Sequence, residues 1–294
     1  MFLKDFLELN LTDNFINLLD YRNSCYSHIG NDGIIKYIFD KINIKKGSFV
    51  EFGAWDGEWN SNCRKLFENG WGGIFIESDL NNFNKLVKKY DKYKRITCLN
   101  SYIGLSGNKL FDNVVKPYVN NDNIDFCSID IDGLDLEVFE TFERYCPTVI
   151  CIEGGQMLHP YHKKISKVKA KHNIQQSLKI MTNIFEKKGY RVLCSYQDSF
   201  FIKQEFYSFF NVSSDLLTLY FNGLRAIPRR MPFIQKYTSK VGLRNNIIDY
   251  ILKRSNYKKY GWKERKNWIK EQINIVNILI NKKEIDEKKK IEKC

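Results

Sequence analysis

The chain has 294 residues, enough for one large α/β domain with an appendage, and its 43% hydrophobic and 28% charged content is that of a soluble globular protein. No window approaches the ~20 apolar residues of a membrane span, and Met1 to Asp20 mixes Lys4, Asp5, Glu8 and Asp13 into its apolar residues, unlike a signal peptide, so a cytoplasmic location is expected. The formal charge of +13 suggests nucleic acid until it is mapped: residues 1–203 carry 27 Lys+Arg against 25 Asp+Glu, whereas residues 204–294 carry 20 against 9.

In chain order, residues 1–20 are predicted as an amphipathic helix with Phe2, Leu3, Phe6, Leu7, Leu9 and Leu11 on its apolar face. A second helix runs from Asp32 to Lys41, with Asn31 or Asp32 as N-cap. Then strands at 48–53, 73–77, 95–99, 125–131 and 147–153 alternate with helices at 60–69, 81–90, 108–120 and 134–143. That alternation demands a parallel sheet with helices on both faces. A helix at 173–188 follows, then strands at 190–196 and 199–203, separated only by Gln197 and Asp198 and therefore an antiparallel hairpin. The fold class is α/β, a doubly wound and mostly parallel seven-stranded sheet. After Lys203 the pattern becomes helical, at about 213–225, 243–255 and 262–290, the last with an apolar stripe of Trp262, Trp268, Ile269, Ile273, Val276 and Ile280 that packs on the preceding domain or on a twin subunit. The expected organisation is an N-terminal helical segment (1–45), a central domain (46–203) and a basic helical extension (204–294). Eight cysteines form no Cys-x-x-Cys pair and sit mostly in apolar runs, so they are read as reduced core residues.

Three strand ends carry the chemistry. Phe49-Val50-Glu51-Phe52-Gly53-Ala54-Trp55-Asp56-Gly57 reads as a buried strand entering a glycine-pinned loop. Gly73-Ile74-Phe75-Ile76-Glu77 ends in a carboxylate where a nucleotide-binding sheet places its ribose-binding acid. Phe126-Cys127-Ser128-Ile129-Asp130-Ile131-Asp132-Gly133 again ends in carboxylates. A dinucleotide loop wants Gly-x-Gly-x-x-Gly, but the middle glycine is missing here and Asp56 would repel a diphosphate. A cationic, amino-acid-bearing ligand such as S-adenosylmethionine suits the loop better.

Together these segments resemble the class I methyltransferase fold, a Rossmann-like sheet, and within it FkbM-type and related bacterial sugar or natural-product methyltransferases. Ser27-His28-Ile29-Gly30-Asn31-Asp32-Gly33-Ile34-Ile35 is similar to the family's segment before the first strand, and Val149-Ile150-Cys151-Ile152-Glu153 to its fifth strand. The likeness covers roughly residues 20–203. It implies S-adenosylmethionine as cofactor and O-methyl transfer to a sugar or sugar-containing precursor, in polysaccharide or natural-product biosynthesis.

Glu77 is assigned to the ribose diol, Glu51 and Asp56 to the methionine part of the cofactor, and Gly53, Ala54 and Gly57 to the shape of a slim loop. Asn100 and Ser101 either flank the adenine or make a simple turn. Asp130 and Asp132, spaced by two, are expected on one side of the sheet, where they could contact the cofactor, accept the substrate proton or bind Mg²⁺. Asp132 and Asp135 equally suit a helix cap. Glu153 could complete a metal site with Asp130 and Asp132, and His159 and His162, on a loop with Pro160 and Tyr161, are candidate bases. The place after the fourth strand lacks the Asn/Asp-Pro-Pro-Tyr/Phe motif of base-methylating enzymes, so nucleic acid is disfavoured as acceptor. The basic tail fits a phosphorylated glycan acceptor or an anionic membrane surface, and its helices could support a homo-oligomer. A polyanion-binding module and a non-catalytic scaffold are the rival readings.

Overall fold

The computed structural model describes residues 15–119, 123–156, 160 and 176–226. Seven strands form one sheet: β1 (Ser48–Phe52), β2 (Gly72–Glu77), β3 (Ile96–Asn100), β4 (Phe126–Ile129), β5 (Val149–Glu153), β6 (Tyr190–Ser195) and β7 (Asp198–Lys203). Their spatial order is β3-β2-β1-β4-β5-β7-β6, with β7 alone antiparallel to its neighbours. The doubly wound, mostly parallel sheet expected from the sequence is therefore present, with the edge hairpin in place.

Strand alternation divides the core into two layers. Phe49, Phe75, Phe126 and Val149 face α1 (Asn31–Lys41), α2 (Arg64–Glu68) and α3 (Leu80–Tyr90). Val50, Phe52, Ile74, Ile76 and Ile150 face α4 (Phe111–Val115), α5 (Asp135–Glu140) and α6 (Leu178–Lys187). The second layer is aromatic: Phe139 and Phe201 stack on either side of Phe185, at ring separations of 3.7 and 3.6 Å.

The core does not end at Lys203. A short helix α7 (Gln204–Tyr207) and the helix α8 (Leu216–Ala226) follow, and Phe210 and Val212 join the first layer while Leu216 and Leu219 join the second. At the other terminus Leu18 and Leu19 are buried in the first layer, and the Ile16 amide donates to the Asn211 carbonyl at 2.7 Å. The described part of the expected N-terminal helix is a 3-10 turn over Leu18–Tyr21 rather than a continuous α-helix, because Asn17 caps it by accepting from the Leu19 amide. The helices expected at 243–255 and 262–290, with the basic tail that they belong to, lie outside the described residues.

Several helices are shorter than their periodicity predicts, among them 173–188, whose described part is helical only over Leu178–Lys187. The segment 60–69 becomes helical only at Arg64, because Ser61 Oγ accepts from the amides of Cys63 and Arg64 while Ser61 and Asn62 are themselves claimed by Glu51. The segment 108–120 splits into a 3-10 turn at Gly107–Lys109 and α4, and 134–143 contracts to α5. Asp32 is not the cap of α1; Gly30 occupies that place in a left-handed conformation, and the Asp32 carboxylate instead accepts from the amides of Cys25, Tyr26 and Ser27. The seven described cysteines are free, with Cys63, Cys127, Cys151 and Cys194 buried.

Candidate functional site

In an open α/β sheet a ligand crevice forms where successive connections leave one strand toward opposite edges, outside the carboxyl ends of the strands. Here that point lies between β1 and β4, because the chain passes from β1 to β2 and β3 on one side and returns to β4 on the other. Glu51, Glu77, Asp130 and Glu153 close or follow β1, β2, β4 and β5 at this end.

The loop after β1 is tightly built. Gly53 has φ +76°, and a Cβ there would lie 1.6 Å from the Asp130 carbonyl oxygen. The crowding neighbour is thus the chain just past β4 rather than a ligand. Ala54 is buried and donates to the Ile76 carbonyl, and the Gly57 amide closes a turn onto the Ala54 carbonyl at 2.8 Å. A Cβ on Gly57 would strike the Tyr90 ring and Leu86 of α3 at 2.5 and 2.6 Å. Asp56 accepts from the amides of Glu58 and Trp59 and from Lys89 Nζ at 2.7 Å, so its carboxylate is occupied in holding the loop to α3. Despite its desolvation by burial, these partners hold its pKa below the ordinary value. Trp55 stands where a dinucleotide loop has its middle glycine, and it has φ +52°.

Glu51 is buried; its two oxygens accept from Ser61 Oγ at 2.6 Å and the Asn62 amide at 2.7 Å. Burial pushes its pKa up to about 7 against the opposing pull of those hydrogen bonds. Glu77 is also buried, and its oxygens accept from the amides of Trp55 and Asp79, each at 2.7 Å. A carboxylate offers about four lone-pair positions. Glu77 therefore retains accepting capacity at the mouth of the crevice while fixing the β1 loop. Asn100 donates to the carbonyls of Glu77 and Ser78, and the Ser101 amide to that of Glu77, so both residues pin the ends of β2 and β3 together.

On the β4 side, β4 stops at Ile129 and the chain turns, with Asp132 at φ +55°. Asp130 and Asp132 therefore do not face the same way by strand alternation; the turn brings them together. Asp135 shapes it, accepting from the amides of Ile131 at 2.8 Å and Gly133 at 3.0 Å. Carboxylate oxygens of Asp130, Asp132 and Glu153 lie within 4.8 Å of one another. Three hard oxygen donors at that spacing could hold a divalent cation such as Mg²⁺. Desolvation by the surrounding protein, then the charges of Asp198, Glu153, Asp135 and Asp132, push Asp130 up to about 8. Since the Asp130 side chain still reaches solvent, the ring of carboxylates is the firmer of the two causes.

Behind this ring lies a buried polar network that sequence reading missed. Asn31 of α1 donates to Asp198 Oδ2 at 2.5 Å and to Asn62 Oδ1 at 2.8 Å, and accepts from the Tyr196 hydroxyl. Asn62 donates onward to Ser128 Oγ of β4 at 2.9 Å. Asp198 reads as a turn residue in the sequence and Asn62 as a helix residue; their partners are far away in the chain, so no local signal identifies them. His159 and His162 lie outside the described residues, so the structure places neither with this cluster.

No protein-family model and no curated protein matches the chain. Among solved structures it is similar to a SAM-dependent methyltransferase from Aquifex aeolicus, with 15% identity over 68% of this chain and 95% of that one and a TM-score of 0.36. It is also similar to an O-methyltransferase family protein from Burkholderia thailandensis, with 10% identity over 58% and 57% and a TM-score of 0.37. A precorrin-6y C5,15-methyltransferase from Geobacter metallireducens gives 12% identity over 57% and 85% and a TM-score of 0.35. Superpositions this loose fix neither an activity nor a substrate.

Proposed function

We propose that the chain is an S-adenosylmethionine-dependent O-methyltransferase acting on a hydroxyl of a sugar or sugar-containing precursor. The observation that carries this reading is Glu77: a buried carboxylate at the end of β2, beside the crevice between β1 and β4, with accepting capacity beyond its two backbone partners. A ribose diol offers two donors to such a group. The neighbouring carboxylates Asp130, Asp132 and Glu153 favour a cationic ligand over a diphosphate. When bound, S-adenosylmethionine supplies an electrophilic methyl group. Asp130, whose environment favours proton uptake near neutral pH, would take the proton that the acceptor hydroxyl loses. In place of that role, Asp130 would join Asp132 and Glu153 in holding Mg²⁺. The sugar acceptor comes from the family resemblance and from the absence of a base-stacking motif. A phosphorylated acceptor or an anionic membrane surface, gathered by the basic tail, belongs to the same proposal.

Calorimetric titration with S-adenosylhomocysteine tests the reading. The wild-type protein is expected to bind it, and Glu77→Ala to weaken binding by roughly 1.5–3 kcal/mol, the range for a hydrogen bond to a charged group. Unchanged affinity in a folded Glu77→Ala variant removes the ribose assignment, and binding of NAD in place of S-adenosylhomocysteine overturns the proposal. A parallel titration with Mg²⁺ alone, compared with Asp130→Asn, decides the cation: no heat in the wild type strikes it from the scheme.

A further inference from the structure

The loop after β1 holds a side chain that its backbone does not suit. Gly53, Trp55 and Gly57 have φ of +76°, +52° and +72°. Glycine enters this region freely, whereas the Cβ of a bulky residue crowds the adjoining carbonyl, so tryptophan there is an outlier. The loop cannot relax around it. The Trp55 amide donates to Glu77 Oε2 at 2.7 Å, the Gly57 amide closes onto the Ala54 carbonyl, and Asp56 ties the following residues to Lys89.

Burial does not compensate for the strain, because Trp55 is 52% exposed. It is not isolated either: Trp59, Leu80, Tyr102 and Leu105, all exposed, also follow the carboxyl ends of β1, β2 and β3. Strained residues kept in place by surrounding structure concentrate at ligand sites. In a dinucleotide-binding loop the corresponding middle position is glycine, so that the backbone can approach a pyrophosphate. Here a tryptophan occupies that position, its backbone amide one hydrogen bond from the carboxylate assigned to the ribose.

We propose that Trp55 is a specificity-determining residue, whose indole blocks the approach of a diphosphate to the loop and packs against the nucleoside part of a ligand that carries none. The packing half rests on the proposed S-adenosylmethionine site; the exclusion half stands on the loop geometry alone.

Three variants of the full chain test it: Trp55→Gly and Trp55→Asn, both at ease with positive φ, and Trp55→Phe, which keeps a ring and the strain. Each is assayed for thermal unfolding and for affinity to S-adenosylhomocysteine and to NAD. The glycine and asparagine variants are expected to unfold about 2 °C or more above the wild type, to bind S-adenosylhomocysteine at least tenfold more weakly and to gain measurable NAD binding. The phenylalanine variant is expected to keep the wild-type melting temperature and most of its affinity. A lower melting temperature for both Trp55→Gly and Trp55→Asn, or wild-type affinity without the indole, overturns the inference. If the wild-type protein itself ignores S-adenosylhomocysteine, it is the proposed function that fails; the gain or absence of NAD binding in Trp55→Gly then decides the exclusion half.

Discussion

At the scale of single residues, Glu51 joins the strand to the loop that follows it, since its two oxygens accept from Ser61 and Asn62. Its carboxyl, held near 7 by burial, takes up a proton more readily in the folded chain than in the unfolded one, where its value is about 4.5. The folded state therefore binds more protons between these values, and linkage requires stability to fall as pH rises through that window. The contribution is complete below the unfolded value and lost above the folded one. Glu51→Gln removes this titration, so urea unfolding at pH 5 and pH 8 should show a pH-dependent loss in the wild type that exceeds the variant's by a few kcal/mol. Equal losses would mean that Glu51 titrates normally in the folded protein. Gly53 makes the complementary point, since its missing Cβ is what lets the ends of β1 and β4 touch.

At the scale of elements, α1 is anchored from outside the helix. Three backbone amides of residues 25–27 converge on the Asp32 carboxylate at 2.7, 2.8 and 2.9 Å, and Ser27 Oγ accepts from the Asp32 amide in return. Hydrogen bonds to a buried charge are worth about 1.5–3 kcal/mol each and do not add fully. Asp32→Ala should therefore lower the unfolding free energy by about 3 kcal/mol in chemical denaturation; a loss under 1 kcal/mol would show that the segment before α1 is held by packing alone. The same region shows how far sequence reading reaches. Strand identity was legible, because buried apolar runs alternating with helices leave few alternatives. The placement of Glu77, Asp130 and Glu153 at or just past strand ends was legible too, since each closes an apolar run. What local pattern could not give was any residue whose partner is remote. Helix 60–69 lost its first turn to Glu51, Asp32 passed for a cap, and Asn31, Asn62 and Asp198 met only in the folded chain. Trp55 was visible as the missing glycine, but its left-handed backbone was not.

At the scale of the molecule, the two core layers continue into the segments on either side of the sheet domain drawn from the sequence. Phe210, Val212, Leu216 and Leu219 are buried beside residues of the sheet, and a Cβ on Gly223 of α8 would meet the Ser195 carbonyl oxygen at 2.2 Å. Removing residues 204–294 should therefore expose both layers and yield insoluble or unfolded protein. Ending the chain at Ala226 should preserve the cooperative unfolding transition. The second truncation also isolates residues 227–294, which hold 19 Lys+Arg against 7 Asp+Glu. If that segment gathers an anionic acceptor or surface, the shortened chain should retain S-adenosylhomocysteine binding but lose retention on anionic vesicles and phosphorylated sugars. Equal retention of both forms would leave the segment without that role, and a steep salt dependence on RNA would favour the polyanion reading instead.

Since β7 runs against its neighbours, it delivers its first residue to the crevice rather than its last, pairing Asp198 with Glu153 at the end of β5. Only Tyr196 and Gln197 separate that residue from β6. The hairpin bend thus sits at the crevice end of the sheet, and its length sets where an acid stands beside Asp130. Drift by insertion and deletion, which surface bends usually absorb without consequence, would at this one bend be read directly as a change in the charge around Asp130.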